Sequence, residues 1–123
     1  MITEDYVSFE TAKLLKEKGF DKKCFTVYNN DGKFYDTRYG IAPSIEIPAP
    51  TLQMAMKWLR EMHNYDVGVC LDSYVEPYDN LYYILIRRRK DKYENISPCE
   101  QAYFDTYEEA AEAAIKYCLE NLI

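Results

Sequence analysis

One histidine, His63, stands among 123 residues, and no H-E-x-x-H motif exists for it to join. The four cysteines, at positions 24, 70, 99 and 118, include no C-x-x-C pair. With a single imidazole beside them they are poor material for a zinc site. Glycine is scarce too, with four residues, which leaves little backbone free to cradle a phosphate. Neither G-x-x-x-x-G-K-S/T nor G-x-G-x-x-G occurs, and no G-x-S-x-G elbow presents a serine. No cofactor is expected. Positive charge is in deficit: 15 Lys and Arg face 21 Asp and Glu, for a net charge of −6. That balance repels phosphate backbones and anionic lipid surfaces, so it weighs against nucleic acid and membrane as partners. The longest apolar run, "LYYILI" at 81–86, is far too short to span a bilayer. The start, "MITEDYVSFE", lacks the basic-then-apolar layout of a signal peptide. A cytoplasmic setting with reduced thiols is expected. In that setting the sequon Asn95-Ile96-Ser97, followed by Pro98, carries no meaning.

What is present points to one globular domain over residues 1–123. Hydrophobic residues make up 48% and charged residues 29%, enough to bury a core without metals or disulfides. Tyrosine is abundant, with 13 residues. Its large apolar ring and polar tip suit half-buried sheet faces and contact surfaces.

Hydrophobic period and caps predict three helices and four strands. Ser8 caps a helix over 8–18, with Val7, Thr11, Leu14 and Leu15 on one side and Gly19 as its left-handed stop. "CFTVY" (24–28) and "KFYDTRY" (33–39) read as a hairpin around "NNDG", where Asp-Gly favours positive φ. The proline-rich stretch 40–50 is extended, with room for a short edge strand at 44–47. A second helix runs over 50–63, with Pro50 at its first position. "DVGVCLDSY" (66–74) and "LYYILIRRR" (81–89) form a second hairpin around the turn "VEPYDN". Residues 90–105 connect it to the last helix. There Thr106 and Glu109 form a T-x-x-E capping box. Glu108, Glu109, Glu112, Lys116 and Glu120 fall on one stripe expected to face solvent, with Glu112 and Lys116 as an i,i+4 pair. The alanines at 110, 111, 113 and 114 leave a low-relief face for close packing. The order α-β-β-α-β-β-α implies an α+β fold: an antiparallel sheet of about four strands with three helices on one side. "KLLKEKG" and "KWLREMH" align loosely, a weak hint of a duplicated α-β-β unit.

Chemistry has few footholds. His63 lies in the last turn of the second helix, where an imidazole meets the negative end of the dipole. The alternative is a general base oriented by Asp66. Most carboxylates fall on helix faces or in turns, and none is marked as a catalytic pair. "RRRK" (Arg87, Arg88, Arg89 and Lys90) is the sharpest charge cluster. It reads either as a clamp for phosphate or nucleic acid, with Tyr82 and Tyr83 for stacking, or as the soluble end of a hydrophobic strand. Strand alternation sends Arg88 to the other face from Arg87 and Arg89, which halves the patch. "FETAKLLKEKGFD" has the start of a helix-turn-helix, but strand and hairpin follow where a recognition helix is required.

The second helix carries the contact candidates. Leu52, Ala55, Met56, Leu59, Met62 and His63 form the regular apolar stripe, and Met54 and Trp58 lie on its flank. The polar residues keep a sector of only about 100°. The helix is therefore expected to be covered on two sides. The second cover is either another element of the fold or another molecule, and Met54 and Trp58 suit both.

Three stretches, "ITEDYVSFETAKLLKEKGFD", "IPAPTLQMAMKWLRE" and "YEEAAEAAIKYCLENLI", together resemble a family of small uncharacterised proteins. That family is carried by prophages and other mobile elements of gut anaerobic bacteria. The resemblance spans most of the chain and implies an origin and a cytoplasmic setting, with no catalytic or binding residues to carry over. The expected function is that of an accessory protein without catalysis, binding a protein partner or a second copy of itself. The alternatives are a nucleic-acid-associated or nucleic-acid-mimicking protein, and an enzyme whose site is assembled from distant residues.

Overall fold

In a computed structural model, which describes residues 2–72, 80–90, 94–96 and 103–123, three helices start at hydroxyl caps. The Ser8 hydroxyl accepts from the Thr11 N–H (3.2 Å) and starts α1 (Phe9–Glu17). Thr51 accepts from the Met54 N–H (3.1 Å) and starts α2 (Leu52–His63). Thr106 accepts from the Glu109 N–H (3.1 Å) and starts α3 (Tyr107–Asn121). The second cap corrects the expected start. Pro50 lies two residues before the helix, and its carbonyl accepts from the Val7 N–H (3.0 Å). A hydroxyl that can satisfy an orphan N–H at Thr51 outweighs a proline ring that merely tolerates the first turn.

α1 stops as its sequence demands. Phe20 N–H reaches the Leu15 carbonyl (2.9 Å), Gly19 N–H reaches that of Lys16 (3.2 Å), and Gly19 sits at φ +96°. No heavy atom lies within 4 Å of a Cβ built there, so the constraint is conformational and not steric. Gly19→Ala is expected to cost about 1 kcal/mol, read as a shift of the urea midpoint at unchanged slope.

The strands are β1 (Thr26–Tyr28), β2 (Phe34–Asp36), β3 (Ile47–Pro48), β4 (Tyr65–Asp72), β5 (Leu81–Arg88) and β6 (Glu94–Asn95). The α+β class stands, but the single four-stranded sheet does not. Among the described residues there are two antiparallel sheets of three strands each, ordered β2-β1-β3 and β4-β5-β6. Two-residue strands explain the difference: β3 takes up only Ile47 of the edge strand expected at 44–47, and β6 falls in the stretch expected as a connection, yet each completes a sheet. Pro48 sits on an edge, where its missing N–H costs nothing in the ladder. Of the two expected turns, Asn29 organises the first by accepting from Asp31 and Lys33 N–H, both at 2.9 Å. Gly32 supplies its positive φ (+85°) against the Phe9 ring. Most of the second turn, residues 75–79, lies outside the described residues, as do Cys99 and Ser97-Pro98.

The two helix-and-sheet units are wired differently. β1, the first strand of its unit, is central, whereas in the second unit the middle strand β5 is central. Their wiring gives the duplicated-unit reading no support.

α3 is the hub, touching α1, α2, β4 and β5. Ala110, Ala111 and Ala114 are fully buried there with Ile115, Cys118 and Leu119. Small side chains let the helix lie close to the second sheet, where Val67, Val69, Ile84 and Ile86 face the core. Burial pushes the Cys118 thiol up to about 12, so it stays a neutral core group. Among the described residues no helix is long and apolar enough to cross a membrane.

Candidate contact surface

α2 separates the two residues that its sequence pairs. Trp58 is 5% exposed, with its ring tilted edge-on to Phe20 (5.5 Å) and to His63 (4.7 Å). Phe20 arrives there because the Gly19 stop turns the chain back toward α2. Met54, one turn earlier, is 49% exposed. The second side of α2 is thus covered from within the chain at Trp58 and open at Met54. Met62 also departs from the expected stripe: it is 59% exposed in the last turn.

Around Met54 lies a hollow of about 320 Å³, walled by Tyr6, Cys24, Phe25 and Pro50, with Lys23 and Arg38 on it. Phe25 is 57% exposed. The Arg38 guanidinium lies over the rings of Phe25 (5.7 Å) and Tyr39 (5.5 Å). It is held there by a two-pronged pair with Asp36 (3.0 and 2.7 Å), and hydrogen bonding from Arg38 pulls the Asp36 carboxyl below its usual range. Burial raises the Cys24 thiol, so this side chain adds no charge to the wall. Behind it runs a row of rings: Tyr6 against Phe34 (5.1 Å), Phe34 against Tyr28 (5.5 Å) and Tyr28 against Phe9 (5.5 Å). The Tyr28 hydroxyl donates to the Val7 carbonyl (2.7 Å) and anchors the row to the N-terminal segment. Burial first, and the Glu112 carboxylate second, raise that hydroxyl above its usual value. The outcome is an apolar surface with a fixed Arg38–Asp36 ion pair at its rim. Nothing in the hairpin's sequence marks it, because Tyr6, Phe25 and Met54 come from three separate segments.

The basic cluster is dispersed. The Arg88 guanidinium pairs with Glu94 (2.6 and 3.1 Å), and Lys90 reaches the same carboxylate at 3.6 Å. Hydrogen bonding from Arg88 lowers the Glu94 carboxyl. Arg87 stands on the opposite face of the sheet from Arg88, cross-strand from Asp66. Arg87 and Arg89 have no ion-pair partner among the described residues. His63 packs on Trp58 and lines none of three hollows: the one at Met54, one at Gly68, and an acidic one at the start of α3. Among the described residues no group of three or more His, Cys, Asp and Glu is placed to hold a metal ion.

The acidic hollow holds a residue that the sequence misplaces. Glu112, expected on the solvent stripe with Lys116, turns to the start of α1. One oxygen accepts from the Thr11 hydroxyl (2.7 Å) and the Ser8 N–H (3.1 Å). The other is buried without a hydrogen-bond partner among the described residues. Lys116 pairs with Glu10 (2.9 Å) and Glu120 (3.8 Å). A carboxylate at a helix N-terminus meets both the unpaired N–H groups and the positive end of the dipole, which a surface lysine does not match. Comparison of the chain with protein-family models, with curated proteins and with solved structures gives no match in any of the three.

Proposed function

We propose that the chain is a protein-binding accessory protein of a prophage or other mobile element, acting without catalysis. Its partner docks on the hollow around Met54. The mobile-element setting rests on the three stretches that resemble such proteins. The docking surface rests on one observation: Met54 and Phe25 stand half-exposed around a hollow whose rim carries Arg38 over two rings. Exposed apolar patches rimmed by polar groups mark interaction sites. Methionine adapts to irregular partners, and Tyr, Met and Arg are the residues that contact surfaces favour. The matching partner presents an apolar side chain to the hollow and a carboxylate to Lys23.

A photo-reactive amino acid at Met54, in cells that carry the gene, tests this. A discrete adduct is expected at Met54, absent when the probe replaces the exposed Glu61 on the same helix, and lost on Phe25→Asp. No adduct, or equal adducts at both positions, would overturn the reading.

A further inference from the structure

β4 is an edge strand, bonded only to β5 among the described residues. The direction of its unpaired groups follows from β5. The carbonyl of Ile86 accepts from Ile96 N–H (2.7 Å), and Tyr82 exchanges both its bonds with Phe104 (2.8 Å each), so these two turn away from β4. Backbone groups alternate sides along an antiparallel strand. Leu81, Tyr83, Leu85 and Arg87 therefore face β4, and their register partners Asp72, Cys70, Gly68 and Asp66 face back. That leaves Tyr65, Val67, Val69 and Leu71 with N–H and C=O pointing out along the free edge. None of those outward groups has a hydrogen-bond partner among the described residues.

Long open edges are normally blunted by shortness, by Lys or by Pro. β2 has three residues, β3 has two including Pro48, and β6 has two. β4 has eight, with no Lys, Arg or Pro, and its two charges, Asp66 and Asp72, stand near its ends. At its middle stands Gly68, for which the chain itself gives no reason. Its φ is not in the left-handed region, and an added Cβ would meet only ordinary contacts with Leu85 at 3.8 and 3.9 Å. A strand-interior glycine with room for a methyl group suits a place where another backbone comes close.

We propose that β4 pairs with β4 of a second copy of this chain, antiparallel about a two-fold axis at Gly68, joining two three-stranded sheets into one. The register is the one that keeps at least seven of the eight β4 residues paired and also meets two constraints. Outward-facing residues must oppose outward-facing residues, which excludes an axis between Gly68 and Val69. An axis through Val69 sets Asp66 opposite Asp72 of the second copy, twice, and like charges directly opposite destabilise a pair. The axis through Gly68 sets Val67 opposite Val69, Tyr65 opposite Leu71 and Asp66 opposite Cys70. The four outward residues then close about eight backbone hydrogen bonds. Leu71, 50% exposed in the single chain, gains Tyr65 of the second copy beside it. The pairing involves neither Met54 nor its hollow, so either proposal survives failure of the other.

Light scattering on the eluted full-length chain reads the mass. A dimer is expected. Gly68→Cys should give a disulfide-linked dimer under mild oxidation, because the two copies of residue 68 face each other across the axis. The native chain should not link, since Cys70 opposes Asp66. Leu71→Pro removes an outward N–H and leaves the β4–β5 ladder intact, so it should give a folded monomer. If Leu71→Pro does not fold, crosslinking through Gly68→Cys decides alone. A monomer at millimolar concentration overturns the proposal. So does a dimer, whatever Leu71→Pro does to it, that Gly68→Cys fails to link.

Discussion

Trp58→Ala is expected to lower the unfolding free energy by about 3–5 kcal/mol, and Met54→Ala, one turn away, by about 0.5 kcal/mol or less. The contrast follows from burial. Trp58 is 5% exposed and wedged edge-on between Phe20 and His63, so truncation leaves a cavity that rigid neighbours cannot fill. Met54 is 49% exposed and leaves only a wider hollow. A loss of that size at Trp58 is about a fifth or more of the roughly 5–15 kcal/mol that holds a domain folded. Urea titration followed by circular dichroism would measure both variants. Trp58 is the only tryptophan in the chain, so its fluorescence gives a second readout on Met54→Ala and the native protein. Equal losses at the two positions would contradict the division of α2 into a covered and an open half.

Glu112→Ala is expected to cost about 1–3 kcal/mol, although sequence pattern alone places it on a surface where substitutions are nearly neutral. Truncation strands the hydroxyl of the fully buried Thr11, leaves the exposed Ser8 N–H to water, and removes a negative charge from the start of α1. Glu112→Gln keeps an acceptor but not the charge, so its loss should fall between zero and that of alanine. A double-mutant cycle with Thr11→Val isolates the 2.7 Å bond, and a coupling of at least about 0.5 kcal/mol is expected. Additivity within error would mean that the two side chains do not hold each other.

Several parts of this fold are written within a few residues of where they act. Ser8 and Thr106 each cap from three residues away. Gly19 stops α1 because only a residue at ease with positive φ closes the two bonds to Lys16 and Leu15. The alternation of Val67, Val69 and Leu71 orients a strand wherever that strand ends up. Even the apparent ambiguity in α2 was legible as such: two covered sides, with the second cover left open between core and partner.

What only the tertiary structure decided has one physical origin. Strand pairing, like the second cover of α2, depends on which distant segments close loops against one another, and periodicity carries no record of that choice. Hence two sheets stand where one was expected, each completed by a two-residue strand too short to have a period. Glu112 could be read as a surface acid until α3 laid it across the start of α1, 104 residues from Ser8 in sequence. The Met54 hollow is the same kind of object, since it exists only where three segments meet. Local sequence determined the elements and their ends, because caps, turns and side-chain alternation are short-range. Packing determined the sheets, the buried carboxylate and the contact surface, because each depends on what lies next to it in space.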